Sequence, residues 1–204
     1  MMRKALRMVI VFWVLLGLQA TVFAAPPVEG FMGVPWGSSR EQVDKAMVEQ
    51  GFVKLAKPDW CATVPGNALC DPGLVNYDGR FAGERAEVRF LFQNKALYRG
   101  WVVLLSSETI YLQDQVNAFA RMKALLTEKY GPPTTDEKHT RPKGWGQSAR
   151  TTWTLSSGDS GDQVDIVLLM EGVFLMDAKR PQSGRVEVFY INQSLEKRLK
   201  NSNI

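Results

Sequence analysis

Histidine is almost missing from this sequence: His139 is the single one in 204 residues, and cysteine occurs only as Cys61 and Cys70. A Ser-His-Asp or Cys-His catalytic set would have to use His139. It lies in the charged stretch TTDEKHTRPKG with no activated nucleophile beside it, so a solvated surface role is expected. The usual transition-metal sites gather several His and Cys side chains, so no metal centre of that kind is expected. A phosphate-cradling P-loop and the glycine fingerprint of a dinucleotide site are also missing, and no cofactor is expected. No block of Lys and Arg reads as a polybasic patch.

Long apolar runs are equally scarce. The one that stands out, Met8 to Leu18, follows Arg3, Lys4 and Arg7 and precedes small or β-branched residues at Val22 and Ala24. That pattern predicts an export signal over residues 1–24 with cleavage after Ala24, and hence a periplasmic or secreted protein. The run falls short of the ~20 residues a membrane span needs, so no span is expected after cleavage. No cysteine sits at the cleavage site to carry a lipid.

The signal carries three of the chain's 25 Lys and Arg and none of its 21 Asp and Glu, leaving 22 against 21. A chain this close to neutral has no electrostatic reason to bind nucleic acid. Residues 25–204 suffice for one domain with a sizeable core.

Two cysteines nine positions apart in an exported chain predict a local disulfide between Cys61 and Cys70, with Pro65-Gly66-Asn67 as the turn between them. Closing a loop of that size is worth about 3 kcal/mol, less any strain. Redox-active pairs usually stand two residues apart at a helix start, which this spacing does not match.

What is present is clear periodicity. PWGSSREQVDKAM, residues 35–47, opens a helix. Ser38 with Glu41, or Ser39 with Gln42, forms a capping box, and Val43, Ala46 and Met47 share a face. Gly51 ends it.

Residues 53–83 read mostly as loop, with a short strand near Val75–Tyr77. Ala86, Val88, Phe90 and Phe92 then alternate with polar neighbours, Asn94-Lys95 turns, and 96–105 returns as the second strand of a hairpin. The strongest helix runs from Leu112 to Tyr130, with Val116, Phe119, Met122, Leu126 and Tyr130 on one side, and Gly131-Pro132-Pro133 stops it. Thr134 to Gly146 reads as a polar loop. Strands follow near 149–156, 163–171 and 185–192, then a short helix over Ser194–Lys200.

The order of elements predicts an α+β fold: an antiparallel sheet packed by two main helices. It is compatible with two helix-plus-three-strand halves, 31–105 and 110–192. PWGSS and GWGQS do not mark a sequence repeat, because one precedes a helix and the other a strand.

Two sets of residues are candidates for function. Trp36, Trp60 and Trp145 fall in or beside loops, where an indole can anchor a ligand as well as cap a core end. Asp159, Asp162, Asp165 and Glu171 cluster in sequence. They lack the spacing of a calcium loop, and a glycosidase would need two of them across a cleft.

GVPWGSSREQV, followed by EKYGPP, resembles a broad set of small exported bacterial proteins of unknown function. These share a Gly-x-x-Trp-Gly-x-Ser-x-x-x-Val opening, a strand hairpin and a second helix ending in Lys-Tyr-Gly-x-Pro. The resemblance covers roughly residues 31–133 and implies an envelope protein of α+β fold, with no activity to carry over. In layout the unit is similar to the small outer-membrane-assembly lipoproteins, which act as scaffolds, but the lipid-attachment cysteine is missing here.

The expected function is a non-enzymatic module that binds an envelope protein or cell-surface component. The rivals are a hydrolase using carboxylates such as Asp162 and Asp165, and an inhibitor of an extracellular enzyme.

Overall fold

Ser39 caps the first helix: its hydroxyl accepts from the Gln42 amide, and the Gln42 side chain accepts from the Ser39 amide at 2.7 Å. The protein, described by a computed structural model, is defined here over residues 26–57, 70–109, 112–140, 147–157, 161–171 and 184–202. A short hairpin, β1 (Gly30–Phe31) and β2 (Val34–Pro35), precedes helix α1 (Arg40–Glu49). Four strands follow: β3 (Val53–Leu55), β4 (Leu74–Phe81), β5 (Glu84–Gln93) and β6 (Ala96–Thr109). Helix α2 (Leu112–Tyr130) opens a second set: β7 (Thr135–Thr140), β8 (Gln147–Ser157), β9 (Asp162–Glu171) and β10 (Gly184–Asn192), with α3 (Gln193–Asn201) after it.

The α+β reading holds: the two main helices, α1 and α2, are accompanied by the short helix α3 that the sequence also predicted near Ser194–Lys200. Apart from the β1–β2 hairpin, the described strands form one eight-stranded antiparallel sheet in the order β3-β4-β5-β6-β10-β9-β8-β7. Each half therefore runs from an edge inward, and the halves meet where β6 pairs with β10. Each contains four strands, one more than the sequence suggested. The additions are the edge strands β3 and β7, each inside a stretch expected to be mostly loop. Their side chains are exposed on both sides, so neither shows the alternation by which a half-buried strand is read.

One face of the sheet carries the core. Val75, Tyr77, Val88, Phe90, Val102, Val188, Ile166, Leu168 and Trp153 are buried there together with Val43 and Met47 of α1 and Phe119, Met122 and Leu126 of α2. The glycine at the end of α2 adopts φ 81°, and Trp153 on β8 donates its indole N–H to the Gly131 carbonyl at 2.9 Å. The helix stop is thereby tied to the centre of the second half.

Between α1 and α2 the N-terminal hairpin wedges over the sheet. Phe31 packs 5.1 Å from both Phe90 and Tyr190, directly above Gly100, where an added Cβ would meet its ring at 2.1 Å. Only glycine at position 100 leaves room for that ring.

The opposite face is built differently. Strand register sets Asn76, Arg89, Trp101, Phe189, Val167 and Thr152 in one row, and Asp78, Glu87, Val103, Glu187, Leu169 and Arg150 in the next. Among the described residues, the helix packed at this side is α3, lying across one end of the sheet. It is fastened by Arg99 to Glu196, Gln193 to Asp165 and Arg198 to Asp162.

Candidate functional site

A groove of about 630 Å³ lies beside the Phe31 wedge. Its walls come from four distant parts of the chain: the β1–β2 turn, the β4–β5 turn, the exposed flank of α2, and Tyr190 on β10. Met32, Phe81, Met122, Leu125, Leu126, Tyr130 and Tyr190 make the lining mostly apolar and aromatic. Leu125 is 43% exposed, although Val116, Phe119, Met122, Leu126 and Tyr130 of the same helix pack inward. The charged residues that line the groove are Glu128 and Lys129, whose ammonium lies 5.0 Å from the Tyr130 ring centre.

Both turns at the groove are two-residue turns with left-handed backbone at each central position: Met32 (φ 55°) with Gly33, and Ala82 (φ 49°) with Gly83. The right-handed twist of paired strands favours such turns, but they suit Asn, Asp or Gly at the first position. A residue with a Cβ costs roughly 1–2 kcal/mol in this region. The groove is thus bordered by two strained, non-glycine turn residues, a kind of strain that often accompanies binding sites.

At the floor, Tyr190 is buried against Tyr130, with ring centres 6.5 Å apart. Burial, reinforced by Tyr130, pushes the Tyr190 phenol well above its ordinary value, so it stays protonated.

The residues singled out in sequence do not build this groove. Trp36 is half-buried, packs against the core and donates its indole N–H to the Val28 carbonyl at 2.9 Å, stapling the N-terminal segment to the hairpin. Gly37 and Ser38 beyond it tie to Leu97 on β6, at 2.8 and 3.0 Å. Trp60 and Trp145 lie outside the described residues, as does Cys61, and with it the expected bridge to Cys70.

The carboxylates are separated as well. Asp162 is gripped by both terminal nitrogens of Arg198, at 2.8 and 2.7 Å, and that guanidinium holds its carboxyl below the usual range. Asp165 faces the other side of β9 and accepts from Gln193 and Gln163. Glu171 is exposed, and Asp159 lies outside the described residues. Alternation along a strand puts positions an odd number apart on opposite faces, so Asp162 and Asp165 do not converge.

His139 stands exposed on edge strand β7, 3.7 Å from Glu137. Among the described residues no group of three or more His, Cys, Asp or Glu is placed to hold a metal ion, and no helix is long and apolar enough to cross a membrane.

Sequence reasoning missed the groove because its floor and walls are unremarkable one by one. The one local signal was Leu125, an apolar residue off the core-facing stripe of α2.

The fold and groove define an α+β protein with an apolar cleft at the junction of two sheet halves. Comparison with known protein families, curated proteins and solved structures finds no match to this chain.

Proposed function

We propose that this chain is an exported, non-enzymatic binding module that holds an apolar segment of an envelope protein in the groove beside Phe31. The observation that carries the reading is the groove itself: an open, mostly apolar cleft with Glu128 and Lys129 as its charged lining residues and Leu125 presented to solvent at its wall. Apolar walls with a few polar groups are the usual makeup of a binding cleft. The strained turns at Met32 and Ala82 add to this, because such strain survives where the surrounding structure holds it. Export rests on the N-terminal pattern, and a Cys61–Cys70 disulfide completes the proposed mature form.

A photo-crosslinking residue placed at Leu125 of the exported full chain tests the groove. The expected result is a discrete adduct with an envelope protein, lost with Met32→Lys, and no adduct from the same residue at exposed Gln163. Equal adducts at both positions, or none at either, would overturn the reading. Intact-mass analysis of the exported chain addresses the rest: a mature form beginning at Ala25 with no alkylatable thiol is expected. A retained leader or two free thiols would remove those parts of the proposal.

A further inference from the structure

Two methionines line the groove, and they differ in what can reach them. Met122 on α2 is 1% exposed, and Met47 and Met170 elsewhere in the core are 0% and 3% exposed. Met32, in the β1–β2 turn, packs against the core but keeps part of its surface in solvent. Of the four methionines among the described residues, it alone is not buried.

The backbone that carries this side chain is firmly placed. Phe31 before it is seated over Gly100, and the Met32 carbonyl accepts from the Gln50 side chain at 3.0 Å. Met32 and Gly33 complete the turn with φ 55° and 75°. The thioether is thus kept at the groove wall, within reach of both an occupant and water.

A thioether is apolar, flexible and polarisable, which suits a wall that adapts to an apolar segment. It is also oxidisable. A lone pair on the sulfur attacks one oxygen of hydrogen peroxide, so that an S–O bond forms and the O–O bond breaks. The other oxygen leaves with both protons as water. The sulfur gives up two electrons, the peroxide accepts them, and the side chain becomes a polar sulfoxide. An apolar side chain laid against that sulfoxide offers no donor, so its oxygen is stripped of water without a new partner.

We propose that Met32 is a modification site, where oxidation by hydrogen peroxide closes the groove to its apolar occupant and reduction of the sulfoxide reopens it. The inference rests on the groove being the binding site.

The test uses the exported chain carrying Met176→Leu, because Met176 lies outside the described residues. The chain is treated with hydrogen peroxide and its peptides are followed by mass spectrometry. An uncharged apolar fluorophore, N-phenylnaphthylamine, reports on the groove. The expected result is one oxygen gained at Met32 well before Met47, Met122 or Met170, with fluorophore affinity falling about tenfold. Methionine sulfoxide reductases, one for each epimer, restore the affinity. In Met32→Leu, whatever its starting affinity, peroxide leaves the affinity where it was. Near-ultraviolet circular dichroism stays unchanged on oxidation, as it must if the groove closes in a folded chain.

The proposal fails if the buried methionines oxidise as fast as Met32, or if the oxidised chain binds the fluorophore as tightly as before. It also fails if the reductases do not restore binding, if Met32→Leu loses affinity on the same treatment, or if oxidation unfolds the chain. Unchanged affinity after oxidation leaves the groove standing as the binding site. A fluorophore that binds neither form, or whose binding Leu125→Glu does not weaken, removes the groove reading and this proposal with it.

Discussion

The two faces of the sheet are made from the same strands and held in different ways. On the helix side, β5 and β10 contribute Val88, Phe90, Val186 and Val188 to a continuous apolar core. On the other side the same strands contribute Arg89, Glu87, Glu187 and Phe189, and order comes from stacking and charge. Trp101 lies 5.3 Å from Phe189 with rings inclined by 18°, and the Arg89 guanidinium sits 4.0 Å from the Trp101 ring centre. Arg89 also makes two bonds to Glu87, at 2.9 and 3.1 Å. The lesson is that one alternating strand serves two economies: burial without direction on one face, directional pairing across strands on the other.

The largest expected difference between the faces is in deletion cost. Phe31→Ala should destabilise by about 3–5 kcal/mol, as full removal of a buried aromatic does. Trp101→Ala should cost about 2 kcal/mol or less, reflecting a stacked and cation-bearing but half-buried ring. Urea unfolding of both variants checks this, and equal costs would break the contrast between the faces.

A change at a turn on the helix side should act in the opposite direction. Ala82→Gly relieves a left-handed φ at an exposed position and should stabilise by about 1 kcal/mol. A loss of stability would show that the turn carries no strain.

Acidification sharpens the comparison next, because α3 is docked mainly by charged and polar contacts. Glu196 is pushed up by burial, but Lys200 and Arg99 outweigh this and hold it low, while Arg198 holds Asp162 low. A carboxyl with a folded pKa below its unfolded value stabilises the fold above that unfolded value, near 4. The contribution fades as pH falls through the folded value. Amide shifts of Leu195 and Leu199 should therefore hold steady from pH 7 to about 5 and move below pH 4, before the Phe31 core responds. A simultaneous change would mean that the helix is not separately held.

The smallest effect is expected at Glu187, where burial raises the carboxyl above its ordinary value despite Arg185 at 3.0 Å. There the sign reverses: ionisation is penalised in the folded chain, so the cost grows as pH rises past the unfolded value. Glu187→Gln should raise the melting temperature slightly at pH 7, with the gain vanishing below about pH 4. A gain that persists in acid would point to packing instead.

Much of this architecture was legible in the chain itself. The capping residues at Ser39 and Gln42, the glycines after α1 and α2, the Asn94-Lys95 turn and the alternation through β5 all reflect interactions within a few residues. Their geometry is therefore set locally, whatever lies around them. The edge strands β3 and β7 were not legible, since a strand exposed on both faces has no burial pattern to display. The groove was hidden for another reason: Met32, Phe81, Leu125 and Tyr190 are neighbours only because β6 pairs with β10 and the N-terminal hairpin sits on Gly100.

Sequence alone thus determined the α+β class, the local caps and turns, and which face of each long strand is apolar, because these depend on short-range sterics and on periodicity. Tertiary structure alone decided the strand order, the separation of Asp162 from Asp165 into different partnerships, the confinement of Trp36 to stapling, and the placing of an apolar cleft. Those are consequences of long-range pairing, in which the partner of each residue lies tens of positions away and no local preference names it.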